Sequence, residues 1–207
     1  MSGQFDAVLF DLLSALIDSW SLWDDVAGDS ALGRQWRLHY LEAASHTKRY
    51  EPYIALIGKS AEAAGLSKSR ADILASRWCE LAPWPEATQT VAELASRTKI
   101  GVITNCSEDL GVAATKKIGV SFDVVLTSER AGYYKPDSRI YEMAISEIGE
   151  AAERILYVAG SPYDVCGAAA AGMPVFWHNR TGLIDTEASA KVTSEAGTLF
   201  SMRGLVG

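Results

Sequence analysis

No stretch of the 207 residues stays apolar long enough to cross a bilayer, and the start, Met1-Ser2-Gly3-Gln4-Phe5-Asp6, carries no basic cluster followed by an apolar run. These absences predict a cytoplasmic protein with no signal peptide and no membrane partner. Basic residues are also in deficit. With 19 Lys and Arg against 26 Asp and Glu, the net charge is −7, which argues against nucleic acid as a partner because phosphate contacts need a clustered positive face. A small anionic substrate would need a local basic site. Cysteine is scarce: Cys79, Cys106 and Cys166 are odd in number and widely spaced, which excludes a disulfide framework or a metal-ligand pattern and fits reduced thiols. There is no internal repeat and no low-complexity segment. What is present, 48% hydrophobic and 22% charged residues with six Trp, is enough for one compact unit carrying a sub-domain.

Short strand-like runs at 5–10, 99–104, 122–127, 155–159 and 174–177 alternate with helical stretches at 108–118, 138–148 and 164–171. This alternation predicts an α/β fold, a Rossmann-like parallel sheet flanked by helices, with ligands binding outside the carboxyl ends of the strands. Asp11, Thr104, Lys135 and Asp164 all follow strand-like runs and can converge there. The stretch 19–82 breaks the alternation with helix-type spacing and no convincing strand, so it reads as an inserted helical cap. Within it Trp36, Leu38, Tyr40, Leu41 and Ala44 can share much of one helix face. Gly65 before Leu66-Ser67 reads as a helix stop and a fresh start, and Ala82-Pro83-Trp84-Pro85 ends the insertion. The chain then returns through a helix at 86–96. The expected division is a core of 1–16 and 85–207, with 17–84 as the cap. The tail after Arg180, with Gly182, Gly197, Gly204 and Gly207, gives no functional signal.

A further absence bears on chemistry. Asp11 closes the run Ala7-Val8-Leu9-Phe10, and Leu12-Leu13-Ser14-Ala15-Leu16 holds no second carboxylate. A lone strand-end carboxylate suits nucleophilic attack, or it merely caps the following turn. Thr104-Asn105 lies between a strand and a helix, where a hydroxyl and backbone N–H groups bind anions or simply cap the helix. Pro136 keeps Lys135 out of a helix. There the lysine holds Asp11 ionised, or else faces solvent from a loop. Asp164, in Gly160-Ser161-Pro162-Tyr163-Asp164, orients Lys135 or a water, or starts a helix.

In order and spacing, this set resembles the haloacid dehalogenase superfamily from Phe5 to about Arg180, and within it the L-2-haloacid dehalogenases. The likeness rests on Phe10-Asp11-Leu12, Trp36-Arg37 with Leu41-Glu42, and Glu80-Leu81-Ala82-Pro83-Trp84-Pro85. Tyr134-Lys135-Pro136-Asp137-Ser138-Arg139-Ile140-Tyr141 is the most specific match. The resemblance implies that Asp11 attacks the halogen-bearing carbon to form an ester that water cleaves at the aspartyl carbonyl. It implies that Lys135 neutralises Asp11, that Tyr141 and Asp164 support it, and that Arg37 and Asn105 cradle the halide. Thr104 then binds the substrate carboxylate. Two of these have plainer alternatives: Arg37 as a cap-surface arginine beside a packed Trp, and Tyr141 as a core aromatic. The resemblance also allows a homodimer.

The departures discriminate. Superfamily phosphatases carry a general acid where this chain has Leu13 and a Mg²⁺ ligand where it has Gly160. Both losses favour a halide, which leaves without protonation and needs no cofactor or metal; Mg²⁺ enters only with a phosphatase. Against the dehalogenases, an aromatic has become Leu13, Gly-Thr has become Ser14-Ala15, and Ser-Ser-Asn has become Ala159-Gly160-Ser161. The Ser14 or Ser161 hydroxyl is the candidate substitute for the one lost at Ala15. Three readings stand: a metal-independent hydrolase of 2-haloacids, a phosphatase or phosphonatase of the superfamily, and a non-catalytic domain that binds an anion or a protein partner.

Overall fold

Ala7 and Leu9 belong to one hydrophobic cluster and Val8 and Phe10 to another, and all four are fully buried, so the strand that carries them has a core on both faces. Such a strand lies inside a sheet rather than at its edge. The computed structural model describes residues 5–205; residues 1–4, on which the expectation of no signal peptide rests, and Val206 and Gly207 lie outside the described residues. The buried strand is β1 (Ala7–Asp11). With β4 (Lys99–Thr104), β5 (Val124–Thr127), β6 (Ile155–Ala159), β7 (Val175–His178) and β8 (Ser194–Ala196) it forms a parallel sheet of order β5-β4-β1-β6-β7-β8. Strand order reverses at β1. The carboxyl end of that strand, between those of β4 and β6, is therefore where an open α/β sheet forms its ligand crevice.

The helices α5 (Ala87–Ala95), α6 (Glu108–Thr115), α7 (Ser128–Ala131), α8 (Ser138–Ile148), α9 (Pro162–Ala170) and α10 (Thr186–Ser189) accompany the sheet. Along α8, Ile140, Tyr141, Ala144 and Ile148 repeat at helical spacing, and that stripe is buried in the same cluster as Ala7 and Leu9. Between β1 and β4 the chain makes a helical excursion through α1 (Trp20–Ala27), α2 (Ser30–His46), α3 (Tyr53–Ala63) and α4 (Arg70–Ser76). Its neck is a short antiparallel pair, β2 (Ile17–Asp18) with β3 (Ala82–Pro83). One hydrophobic cluster runs from Val8 and Phe10 through Trp23, Trp36, Tyr40 and Trp78, so the cap and one face of the sheet share a core. Among the described residues no helix is long and apolar enough to cross a membrane.

Several elements differ from expectation. β5 starts at Val124 rather than 122 because the Asp123 carboxylate accepts the Ile100 N–H at 2.8 Å, taking the first ladder bond itself. Leu38 is 42% exposed, whereas Gly33, Trp36, Arg37, Tyr40 and Ala44 form the buried face of α2. The inward stripe thus includes a charged residue that an apolar pattern passes over. Gly65 does follow α3 in the left-handed region, at φ +79°, but the next helix begins at Arg70 after Ser69. β8 is three residues, Ser-Glu-Ala, with no apolar run to announce it.

Candidate active site

Leaving β1, the chain turns back so that two of its own N–H groups meet the last residue of the strand. Asp11 Oδ2 accepts from Ser14 N at 3.0 Å and Ala15 N at 3.2 Å. The carbonyls of this turn are held from outside. Ser19 Oγ donates to Leu13 O, Trp84 Nε1 to Ser14 O at 2.9 Å, and the His178 Nδ1–H to Ala15 O at 2.8 Å. With both sides of each peptide engaged, Asp11 is fixed before any ligand arrives.

The other oxygen, Oδ1, accepts from Lys135 Nζ at 2.8 Å. Lys135 is 3% exposed, which disposes of the solvent-facing alternative, and its ammonium also lies 3.0 Å from Asp164 Oδ1 and 3.3 Å from the Tyr157 hydroxyl. Its backbone is clasped by Asn105, whose Oδ1 accepts the Lys135 N–H at 2.8 Å and whose Nδ2 donates to the Lys135 carbonyl at 3.1 Å. Ser128 Oγ adds a third bond to Asn105 Oδ1 at 2.7 Å. Asp164 sits in the first turn of α9, capped by Ser161, whose Oγ accepts the Asp164 N–H at 3.3 Å.

Three buried charges make this centre net negative when all are ionised. Burial alone would lower the Lys135 pKa, yet the carboxylates of Asp11 and Asp164 raise it above the ordinary lysine value. Burial pushes Asp164 up to about 6, the Lys135 ammonium opposing that rise and the charge of Asp11 adding to it. Cys106 is no rival nucleophile, since burial pushes its thiol up to about 12. The Lys135 ammonium also stands between the two carboxylates that a cation would need. Among the described residues no group of three or more His, Cys, Asp or Glu could hold a metal ion.

Arg37 reaches the same crevice from the cap. It is 2% exposed, and its guanidinium carbon lies 5.4 Å from the Trp20 ring centre, 4.9 Å from Trp23 and 5.6 Å from Tyr40. Nη2 donates to Ser14 Oγ at 3.2 Å, while Nε and Nη1 are buried without a hydrogen-bond partner. Among the described residues no carboxylate pairs with it. Arg37 is thus a buried arginine in an aromatic cage rather than a surface arginine, with donors left over that can bind an anion.

Asp11, Ser14, Arg37, Asn105, Lys135, Ser161 and Asp164 thus line one crevice. Thr104 and Tyr141 do not. Thr104 is fully buried, its hydroxyl 3.7 Å from the Cys106 thiol and its methyl beneath Gly111 of α6, so it points away from any substrate carboxylate. Tyr141 stands edge-on to Tyr157 at 5.6 Å, packed on Gly167, and its hydroxyl has no hydrogen-bond partner.

Leu13, singled out in the sequence only for the acid it lacks, lines the crevice, and Tyr40, Leu41 and Tyr163, which sequence reasoning did not place at the site, complete the walls. Tyr40 lies three residues from Arg37 on α2 and Tyr163 one residue from Asp164, so neighbour spacing was the available signal. The crevice offers about 20 Å³, room for about one water.

The chain is similar to known proteins in both sequence and structure. The family model described as haloacid dehalogenase-like hydrolase matches residues 5–172. The (S)-2-haloacid dehalogenase H-109 of Pseudomonas putida is 27% identical over 95% of this chain and 96% of its own length. The (S)-2-haloacid dehalogenase of Pseudomonas sp. (strain YL) is 30% identical over 76% of this chain and 72% of its own length. Among solved structures, the L-2-haloacid dehalogenase of Xanthobacter autotrophicus with chloropropionic acid covalently bound superposes with TM-score 0.75 at 25% identity, covering 90% of this chain and 81% of that one.

Proposed function

The chain belongs to the haloacid dehalogenase-like hydrolases, and on that premise we propose that it replaces the halogen of short (S)-2-haloacids by hydroxyl through an ester on Asp11. The observation that carries this reading is the pairing, in one crevice, of a buried carboxylate neutralised by Lys135 with a buried arginine that has no carboxylate of its own. The first group attacks and the second receives what departs.

Asp11 attacks with Oδ1. Its electron pair forms the C–O bond while the C–halogen pair leaves with the halide, so no proton is needed on the leaving group. Arg37 takes the halide with its spare N–H donors. Asn105, which spends one amide hydrogen on the Lys135 carbonyl, keeps the other for the crevice. The ester carbonyl oxygen is then Oδ2, already facing the Ser14 and Ala15 N–H groups. Those two donors serve as an oxyanion hole when water adds to the carbonyl carbon. Asp164 accepts one proton of that water and passes it to the departing oxygen as the Cγ–O bond breaks; the 2-hydroxy acid leaves with an oxygen from Asp11, and the other proton of the water goes to solvent as Asp11 re-ionises. Each step uses groups of this chain and water, so this reading calls for no cofactor.

The experiment is halide release from racemic 2-chloropropionate with and without chelator. Release unaffected by chelator, stopping when half the racemate is consumed and yielding (R)-lactate, is the expected outcome, because one displacement at carbon inverts the centre and ester cleavage leaves it alone. Retained configuration rules out the single displacement. Chelator-sensitive phosphate release from a generic ester, with no halide, points to a phosphatase instead.

The pH dependence follows from Asp164, pushed up to about 6. Ionised, it can take the proton from water; protonated, it cannot. The ester leaves no charge on Asp11, so in the hydrolytic step Asp164 titrates below that value; we expect kcat to fall roughly tenfold per pH unit below the lowered value and the ester on Asp11 to accumulate in rapidly quenched samples at about pH 4. A profile flat down to about pH 4 removes Asp164 from the hydrolytic step.

A further inference from the structure

Gly160 follows β6 with no side chain, and the space is already in use. A Cβ there would stand 2.5 Å from Ser14 Cβ, 2.6 Å from Asp11 Oδ2 and 2.7 Å from Ala15 N. The missing side chain at Gly160 is what lets the Ser14 side chain seat beside the nucleophile. Seated there, Ser14 faces two ways. Its N–H donates to Asp11 Oδ2 at 3.0 Å and its Oγ accepts from Arg37 Nη2 at 3.2 Å. One residue therefore joins the carboxylate that attacks to the guanidinium that receives the leaving group, across the boundary between core and cap.

That bond is not what holds the cap down. Tyr40 donates to Asn105 O at 2.8 Å, Tyr134 to Glu51 O at 2.8 Å, Trp78 to Leu110 O at 2.9 Å and Arg34 to Thr181 O at 3.3 Å. The aromatic rings confine the Arg37 guanidinium, but it donates a hydrogen bond to none of them. Ser14 Oγ is the acceptor that sets its rotation, and hence the direction of its remaining donors. We propose that Ser14 is a positioning residue: its hydroxyl aims the Arg37 guanidinium at the halide leaving from the carbon that Asp11 attacks. The inference rests on the activity assigned above.

Ser14→Ala is the fitting probe, because it keeps the Cβ over Gly160 and removes only the hydroxyl. A group that steadies the departing halide matters more for chloride, the poorer leaving group, than for bromide. Measured as kcat/KM, which reports the displacement step, Ser14→Ala should lose roughly tenfold on 2-chloropropionate but less than about threefold on 2-bromopropionate, with the melting temperature nearly unchanged. Equal losses on both substrates, no loss on either, or a collapse of the melting temperature would each overturn the assignment, the first and last by making Ser14 a packing residue. If the wild type releases halide from neither substrate, the dehalogenase reading itself fails. Bromide titration followed by tryptophan fluorescence then judges the link alone, since Trp20 and Trp23 flank Arg37. Weaker bromide binding in Ser14→Ala supports it, and equal or absent binding rejects it.

Discussion

Asp11→Asn should abolish halide release, with a loss of at least about 10⁴-fold, while leaving the fold intact. The amide has no ionised oxygen to form the ester, so the first bond of the reaction cannot be made. Folding is spared for an electrostatic reason. Lys135 keeps its partner Asp164 at 3.0 Å, and the buried centre, one ammonium with two carboxylates in the native protein, becomes a neutral pair. Removing the Asp11 charge also relieves one of the causes that raise Asp164, whose pKa should drop below about 6. Thermal unfolding of the variant should therefore match or exceed that of the wild type near neutral pH. The companion measurement is a single turnover of the wild type in ¹⁸O water. Label should enter Asp11, found by mass spectrometry of the peptide that carries it, and the hydroxy acid should be unlabelled. Label in the product alone means that water attacks carbon directly and that Asp11 is not the nucleophile.

Lys135→Ala should cost roughly 10³-fold in turnover and, near neutral pH, about 3 kcal/mol in stability. The first loss arises because Asp11 must attack a substrate that is itself an anion, with no ammonium to offset the repulsion. The second arises because two buried carboxylates are left facing one another. The sign of its pH dependence is fixed by linkage. Without the ammonium, the folded pair holds a proton at pH values where the unfolded chain has released it, so folded pKa lies above unfolded pKa. Stability is then recovered as pH falls toward the ordinary carboxylate range and lost as pH rises through the folded value. Denaturant unfolding at several pH values checks this, with turnover measured where the variant remains folded. A turnover loss no larger than the stability loss, or stability that improves with rising pH, would show that Lys135 is a packing lysine and not the partner of a reacting group.

Much of this protein was legible in its one-dimensional pattern. The β4, β6 and α8 bounds fall where the apolar runs and helix spacing put them, because those elements bury continuous or periodic hydrophobic sets. Asp164 was legible as a neighbour of Asp11 because it comes soon after a strand, and in a parallel sheet strand ends share an edge; Lys135 reaches that edge only after the short helix α7, which the strand pattern does not show. What was not legible was which way a side chain turns at that edge. Thr104 and Asn105 are neighbours in sequence. Yet backbone alternation sends Thr104 under α6 beside Cys106, while Asn105 grips Lys135 and faces the crevice. Leu38 and Arg37 were exchanged in the same manner on α2, since periodicity ranks residues by polarity and cannot see an aromatic cage that buries a cation.

The sequence by itself determined the chemistry on offer: a lone carboxylate at a strand end, a lysine held out of a helix by proline, and no second acid at Leu13. These follow from residue type and local spacing, which need no partner to be read. Only the tertiary structure decided how the groups are used. Contacts between residues far apart in the chain place Lys135 between Asp11 and Asp164, and the bare backbone of Gly160 opens the space in which Ser14 reaches Arg37. Steric fit at a few tenths of an ångström and the burial of charge are properties of the packed state, and no local pattern encodes them.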